Sequence, residues 1–152
     1  MATYTNTSFN YPARFGRGEC GVLSCEEATR VYANGDIVKG PKIAKGNKIV
    51  DAYFATGDID TNGSPTATCK LRINDGSTQV KLIDVTAAQL STTGGIMLSG
   101  ISSGNYLNFN HVVPTDGYWL EVVFDAAFAT AATGVLAFGI LVTNNLWTAE
   151  QP

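Results

Sequence analysis

The chain is cut into short pieces by turn signals. Asn34-Gly35, Asn62-Gly63, Asp75-Gly76, Gly94-Gly95, Gly104-Asn105 and Asp116-Gly117 punctuate it, and such dipeptides supply the positive φ that tight turns need. Between them the polarity alternates with a period of two. In Thr66–Ile73, Ala67, Cys69, Leu71 and Ile73 share one face, and Thr66, Thr68, Lys70 and Arg72 the other. In Tyr118–Asp125, Tyr118, Leu120, Val122 and Phe124 oppose Trp119, Glu121, Val123 and Asp125. Lys48–Thr56 sets Val50, Ala52 and Phe54 against Asp51 and Tyr53. Alternation of this kind marks strands with one buried face. Val135–Thr143 is apolar on both faces, which predicts a central strand. Shorter strands are predicted at Arg30–Ala33, Ile37–Lys39, Gln79–Ile83, Ile96–Leu98 and Asn105–Phe109. Only Glu26–Tyr32 and Val85–Leu90 are compatible with a helical turn or two, and neither can carry a layer. The predicted fold class is therefore all-β: a single antiparallel β-sandwich or barrel.

Composition narrows what such a sandwich can do. Of 152 residues, 45% are hydrophobic and 15% charged, against a typical charged share of about 25%. Ten Lys and Arg face 13 Asp and Glu, with no basic run. Nucleic acid is a poor partner for that surface. No apolar stretch approaches the ~20 residues of a membrane-spanning helix, and residues 1–10 lack the charged start and apolar core of a secretory signal. The expectation is a soluble protein made in the cytosol, in which Cys20, Cys25 and Cys69 stay reduced. A Cys20–Cys25 bridge would need a chain reversal near Gly21, because extended backbone separates the two too widely.

The first 18 residues read as an extended N-terminal arm ahead of a sandwich at 19–152. Tyr4, Phe9, Tyr11 and Phe15 recur among polar residues without a period, and Arg14 and Arg17 close the segment. An arm of this kind cannot bury its own rings, so it lies either on its parent domain or on a partner. Aromatics and Arg are enriched at interface hot spots, which makes Tyr4, Phe9, Tyr11, Arg14, Phe15 and Arg17 candidate interface residues. Trp119, on the polar side of its strand, joins them.

Chemistry-bearing patterns are sparse. Asp58-Ile59-Asp60-Thr61-Asn62-Gly63 matches the first half of a calcium loop, yet its twelfth position is Cys69 instead of the bidentate Glu. A structural turn is the stronger reading of Asp58, Asp60 and Asn62, and no metal or cofactor is expected. His111 is the single histidine; Asp116 is nearby in sequence, but no serine sits in a nucleophile-elbow pattern. Arg14-Phe15-Gly16-Arg17-Gly18 lacks the rest of a phosphate loop. Glu26-Glu27 would diverge on a strand. Nothing here points to an enzyme.

The blocks Ile49–Phe54, Gly57–Thr66, Leu71–Gly76 and Gly117–Leu120 give the segment from Lys48 to Thr143 a further meaning. It resembles small structural proteins of tailed bacteriophages, jelly-roll-like β-sandwiches found as head decoration (cement) proteins or minor virion components. The resemblance implies a jelly-roll-like fold and a decoration protein that binds the outer capsid lattice and stabilises the head. It further implies the major capsid protein as partner, association with its own copies as a trimer, and a place on the capsid surface after synthesis in the host cytoplasm. The competing readings are a tail or fibre receptor-binding module, for which Tyr106, His111 and Trp119 are the candidate residues, and a calcium-dependent carbohydrate-binding β-sandwich centred on Asp58, Asp60 and Asn62.

Overall fold

The computed structural model describes residues 1–5, 9–10, 20–91, 94–97, 111–114 and 117–144, with backbone alone for 9–10, 20–29, 94–97 and 144. Its strands are β1 (Thr3–Thr5), β2 (Phe9–Asn10), β3 (Cys20–Arg30), β4 (Ile37–Ile43), β5 (Asn47–Thr56), β6 (Cys69–Asn74), β7 (Gln79–Val85), β8 (Gly94–Met97), β9 (His111–Val112), β10 (Tyr118–Phe124) and β11 (Gly134–Asn144). A single helical turn, α1 (Ala87–Leu90), follows β7. Gln89 Oε1 accepts from Thr86 N at 2.8 Å and Thr86 Oγ1 at 2.9 Å to close its start.

Two sheets result. One runs β1-β4-β10-β6-β7; the other runs β2-β3-β11-β5-β8, with β9 also on β5. Every pair is antiparallel except β1 on β4. From β3 to β6 the chain changes sheet at each connection, and β6–β7 is a hairpin within one sheet. The all-β sandwich read from the alternation is what the protein adopts.

The inner faces are those the period of two picks out. Leu71 and Ile73 from β6, with Leu120, Val122 and Phe124 from β10, are fully buried. They meet Phe54, Leu136, Phe138, Ile140 and Val142 from the second sheet, which are equally buried. Each such side chain contributes about 1.5–3 kcal/mol relative to exposure. As its two-sided apolarity predicts, β11 is central, between β3 and β5.

Several details differ from the sequence expectation. Glu26–Tyr32, read as a possible helical turn, belongs largely to β3, which runs unbroken to Arg30 where a short strand was expected to begin. Pairing with β11 along the length of β3 outweighs the local ambiguity, since strand formation follows cross-strand context more than intrinsic preference. In β5 a register shift against β11 falls at Val50; Ile49, not Val50, is fully buried beside Ala52 and Phe54. The chain makes no reversal at Gly21, so Cys20 and Cys25 are separated by roughly 16 Å of extended backbone and cannot bridge within one molecule. The predicted strand at Asn105–Phe109 lies outside the described residues.

The N-terminal segment contributes an edge strand to each sheet: β1 beside β4, and β2 beside β3. Ala2 N donates to Asp36 Oδ1 at 2.8 Å and Tyr4 Oη to Asp36 Oδ2 at 3.4 Å, while Ala33 N also donates to Oδ2 at 3.0 Å. The Arg30 guanidinium lies 4.0 Å over the Tyr4 ring, and Tyr32 meets the same ring edge-on before stacking on Phe124 at 4.7 Å. Tyr4 is thus packed on its own domain.

Two expectations follow from this packing. Deleting Met1–Thr5 strips two donors from the buried Asp36 carboxylate, which should lower unfolding free energy by about 1–3 kcal/mol while the strand circular-dichroism signal persists. Gly134 is the more demanding position, because a Cβ there would stand 2.2 Å from Ile59 Cγ2. Gly134→Ala should therefore cost about 1–3 kcal/mol, read as a lower denaturant midpoint at unchanged slope.

Candidate functional site

Three places could carry function: the outward faces of the two sheets and the loop end around Asp60. The outward face of the β1-β4-β10-β6-β7 sheet is built from the polar positions of the alternation, but with one interruption. Trp119 pairs with Lys42 and Glu121 with Lys39, so Leu120 alone of β10 faces two residues of β4, Gly40 and Pro41. Lys39 and Lys42 are three residues apart, so in a regular strand they would point to opposite faces. The bulge turns both toward Trp119, whose ring centroid lies 5.6 Å from Lys39 Nζ and 4.9 Å from Lys42 Nζ. Proline has no N–H to give a ladder, so a bulge on the stretch of β4 beyond its pairing with β1 is where it fits.

Beside this cluster lies a buried ion pair. Glu121 is 1% exposed although it sits on the outward side of β10. Its Oε1 accepts from Arg72 Nε and Nη2, each at 2.6 Å, and from Asn74 Nδ2 at 2.9 Å. Arg72 reaches on to Gln79 Oε1, tying β10 to β6 and β7. Removing either charge would strand the other in a dry setting. Around the rim, Lys70 pairs with Asp125 at 3.0 Å and Lys81 with Asp84.

The opposite outward face has another character. Along β11 it presents Val135, Ala137, Gly139 and Leu141, and along β5 Tyr53 and Ala55. Asp51 and Lys48 are its charges from these two strands. Val135 is 40% exposed.

In the calcium-like pattern, Asp60 has its carboxylate taken up by backbone donors. Its carboxylate is fully buried and accepts four backbone N–H groups: Thr66 at 2.9 Å and Ala67 at 3.0 Å, then Ala129 at 3.3 Å and Thr130 at 2.9 Å. Burial pushes this carboxyl up, but the bonds from Thr130, Ala67, Thr66 and Ala129 prevail and hold it at about 2. Asn62 turns to Thr130 and to Ser64 N, while Asp58 is exposed. The three do not converge, and the described residues contain no group of three or more His, Cys, Asp or Glu able to hold an ion. Asp60 is a staple between two loops, from Asp58 to Thr68 and from Asp125 to Thr133.

Of the residues expected at an interface, Trp119 is half-buried on the outward face and Tyr4 is packed on the parent domain. Phe9 is placed by its backbone in β2. Tyr11, Arg14, Phe15 and Arg17, and also Tyr106, Asp116 and Trp147, lie outside the described residues. His111 sits in β9, and its Nε2 is buried without a hydrogen-bond partner among the described residues. Burial holds its pKa below the ordinary value. Cys69 is a buried free thiol in β6, pushed up by burial and by the charges of Asp125 and Asp84. Sequence reasoning missed Lys39 and Lys42 as neighbours of Trp119. The available signal was Gly40-Pro41 directly after the predicted strand Ile37–Lys39, a pair that fits a bulge if the strand runs on.

Comparison with known proteins adds a likeness of fold. No family model and no curated protein matches the chain. Among solved structures, a chain of the capsid of Ralstonia phage GP4 is similar at a TM-score of 0.66 and 17% identity, covering 87% of this chain and 89% of that one. A chain of the cyanophage Pam1 capsid asymmetric unit is similar at a TM-score of 0.65 and 17% identity, covering 90% and 92%.

The Asp60 staple has a pH signature. A carboxyl held at about 2 in the fold, against 3.8 ordinarily, contributes stability that is complete above about pH 4 and fades as pH falls toward 2. Asp60→Asn keeps the shape but loses the charge, and should cost about 2 kcal/mol at pH 7. Urea titrations from pH 7 to 2 should show the variant losing less stability than the parent over the acidic end of that range.

Proposed function

We propose that this chain is a structural protein of a tailed-bacteriophage virion. In this reading it decorates the outer capsid lattice, binds the major capsid protein, and stabilises the head as cement. The observation that carries the reading is the fold likeness to two phage capsid chains, which spans nine-tenths or close to it of every chain compared. The topology supports it. The order β4-β10-β6-β7 opposite β3-β11-β5-β8 is consistent with a jelly roll, an architecture recurrent among viral capsid proteins. So do the surfaces: two broad outward sheet faces, one apolar and one bearing the Lys39–Trp119–Lys42 cluster, suit contacts spread over a lattice better than they suit a reaction.

Cement acts by numbers. Each contact with a capsid subunit can be weak, because copies joined as a trimer engage several subunits at once and the second and third engagements are effectively intramolecular. The protein is made in the host cytoplasm and ends on the capsid surface; it needs no cofactor and catalyses nothing.

The test is to separate heads and tails of the parent phage and probe each for the protein, then compare heads with and without it. The protein should band with heads, and heads lacking it should release DNA at a lower temperature. Its presence on tails alone would overturn the reading in favour of a receptor-binding module.

A further inference from the structure

We infer that Asn62 is a modification site: in the folded protein the Gly63 amide nitrogen closes on the Asn62 side chain, ammonia leaves, and water reopens the ring to aspartate and isoaspartate. The chain contains two Asn-Gly pairs, Asn34-Gly35 and Asn62-Gly63, and a glycine in second place leaves this ring closure unhindered by a side chain. The fold treats the two pairs differently. Closure requires the glycine N–H to give up its proton and its nitrogen to bond to the side-chain carbonyl carbon. At the first pair that nitrogen is committed, because Gly35 N donates to the Phe124 carbonyl at 2.7 Å, with Gly35 held at a φ of 85°. At the second, Gly63 is exposed and its N–H has no hydrogen-bond acceptor among the described residues. A Cβ at residue 63 would meet nothing within 4 Å, so the chain there has room to move.

The other participants surround the amide. Ser64 N donates to Asn62 Oδ1 at 2.8 Å, which draws electrons from Cγ and stabilises the negative charge that builds on Oδ1 as the ring closes. Asn62 Nδ2, the leaving group, donates to Thr130 Oγ1 at 3.0 Å. A hydroxyl both accepts and donates, so Thr130 can pass a proton to the departing nitrogen and regain one from solvent. The Gly63 N–Cγ bond forms, the Cγ–Nδ2 bond breaks, and the proton lost by Gly63 is balanced by the one that leaves with ammonia. Water then adds to one of the two ring carbonyls, and either product carries a carboxylate at residue 62. No electrons are transferred, and water is the only co-reactant. The conversion removes the donor that ties Asn62 to Thr130 across the two loops and sets a new charge beside the Asp60 staple. It is independent of the virion reading, so neither falls with the other.

The deciding experiment ages the full-length protein in mildly alkaline buffer, folded and in parallel in urea, and then digests it with trypsin. Cleavage after Lys and Arg releases Val31–Lys39, whose one amide side chain is Asn34, and Ile49–Lys70, whose one amide side chain is Asn62. The mass of each peptide therefore reads its own site, and chromatography separates isoaspartate from aspartate. In the folded protein Ile49–Lys70 should convert at least about tenfold faster than Val31–Lys39, with isoaspartate among the products, and urea should narrow the gap. Gly63→Ala, checked for folding by its melting curve, should slow conversion at Asn62. Equal rates in the folded protein, faster conversion at Asn34, a gap that urea leaves unchanged, or an Ile49–Lys70 peptide that converts only in urea overturns the inference. Conversion of Gly63→Ala at the rate of the parent overturns it as well, since the nitrogen of residue 63 would not then control the step.

Discussion

Phe138 lies against Gly40 across the middle of the sandwich, and much else depends on that contact. The ring belongs to the central strand of one sheet, and the glycine to a bulge in the other, too close for any side chain between them. Close packing leaves interiors no slack to absorb an extra methyl group. The core therefore dictates where β4 bulges, the bulge dictates that Lys39 and Lys42 share a side, and the surface cluster is a consequence of interior packing.

The two outward faces divide the work. The β10 face pairs Lys70, Arg72 and Lys81 with carboxylates and buries Glu121 in the process, with Lys39 and Lys42 set against Trp119 beside it. The β11 face is mostly apolar along β11 itself, with Asp51 and Lys48 from β5 at its side. At one end the Asp60 carboxylate pins the two loops by taking backbone N–H groups from both, and Asn62 adds a side-chain bond to Thr130.

Much of the fold was legible because burial on one face imposes a period of two. Leu71, Ile73, Leu120, Val122 and Phe124 could be assigned inward from spacing alone, and β11 could be placed centrally from its lack of a polar side. What escaped depends on register. Val50 and Ile49 exchange roles through one shifted pairing, and nothing local announces which of two adjacent β-branched residues goes in. The length of β3 is set by its partner β11, which is more than a hundred residues away in sequence. The Trp119 site was half legible: the indole was read as outward-facing, but its lysine neighbours needed the bulge. Asp60 shows the opposite failure, a motif whose residues are real but whose ligand is the chain's own backbone.

The strand order also governs how this molecule can be made. The central strand of each sheet, β10 in one and β11 in the other, comes from the last third of the chain. While the ribosome is still upstream of Tyr118, β4 and β6 have no strand between them, and β3 and β5 wait for β11. Such distant pairings are slow to form because the intervening chain must first be closed. Until β10 and β11 emerge, the growing polypeptide exposes open strand edges, the kind of surface through which partly folded chains aggregate.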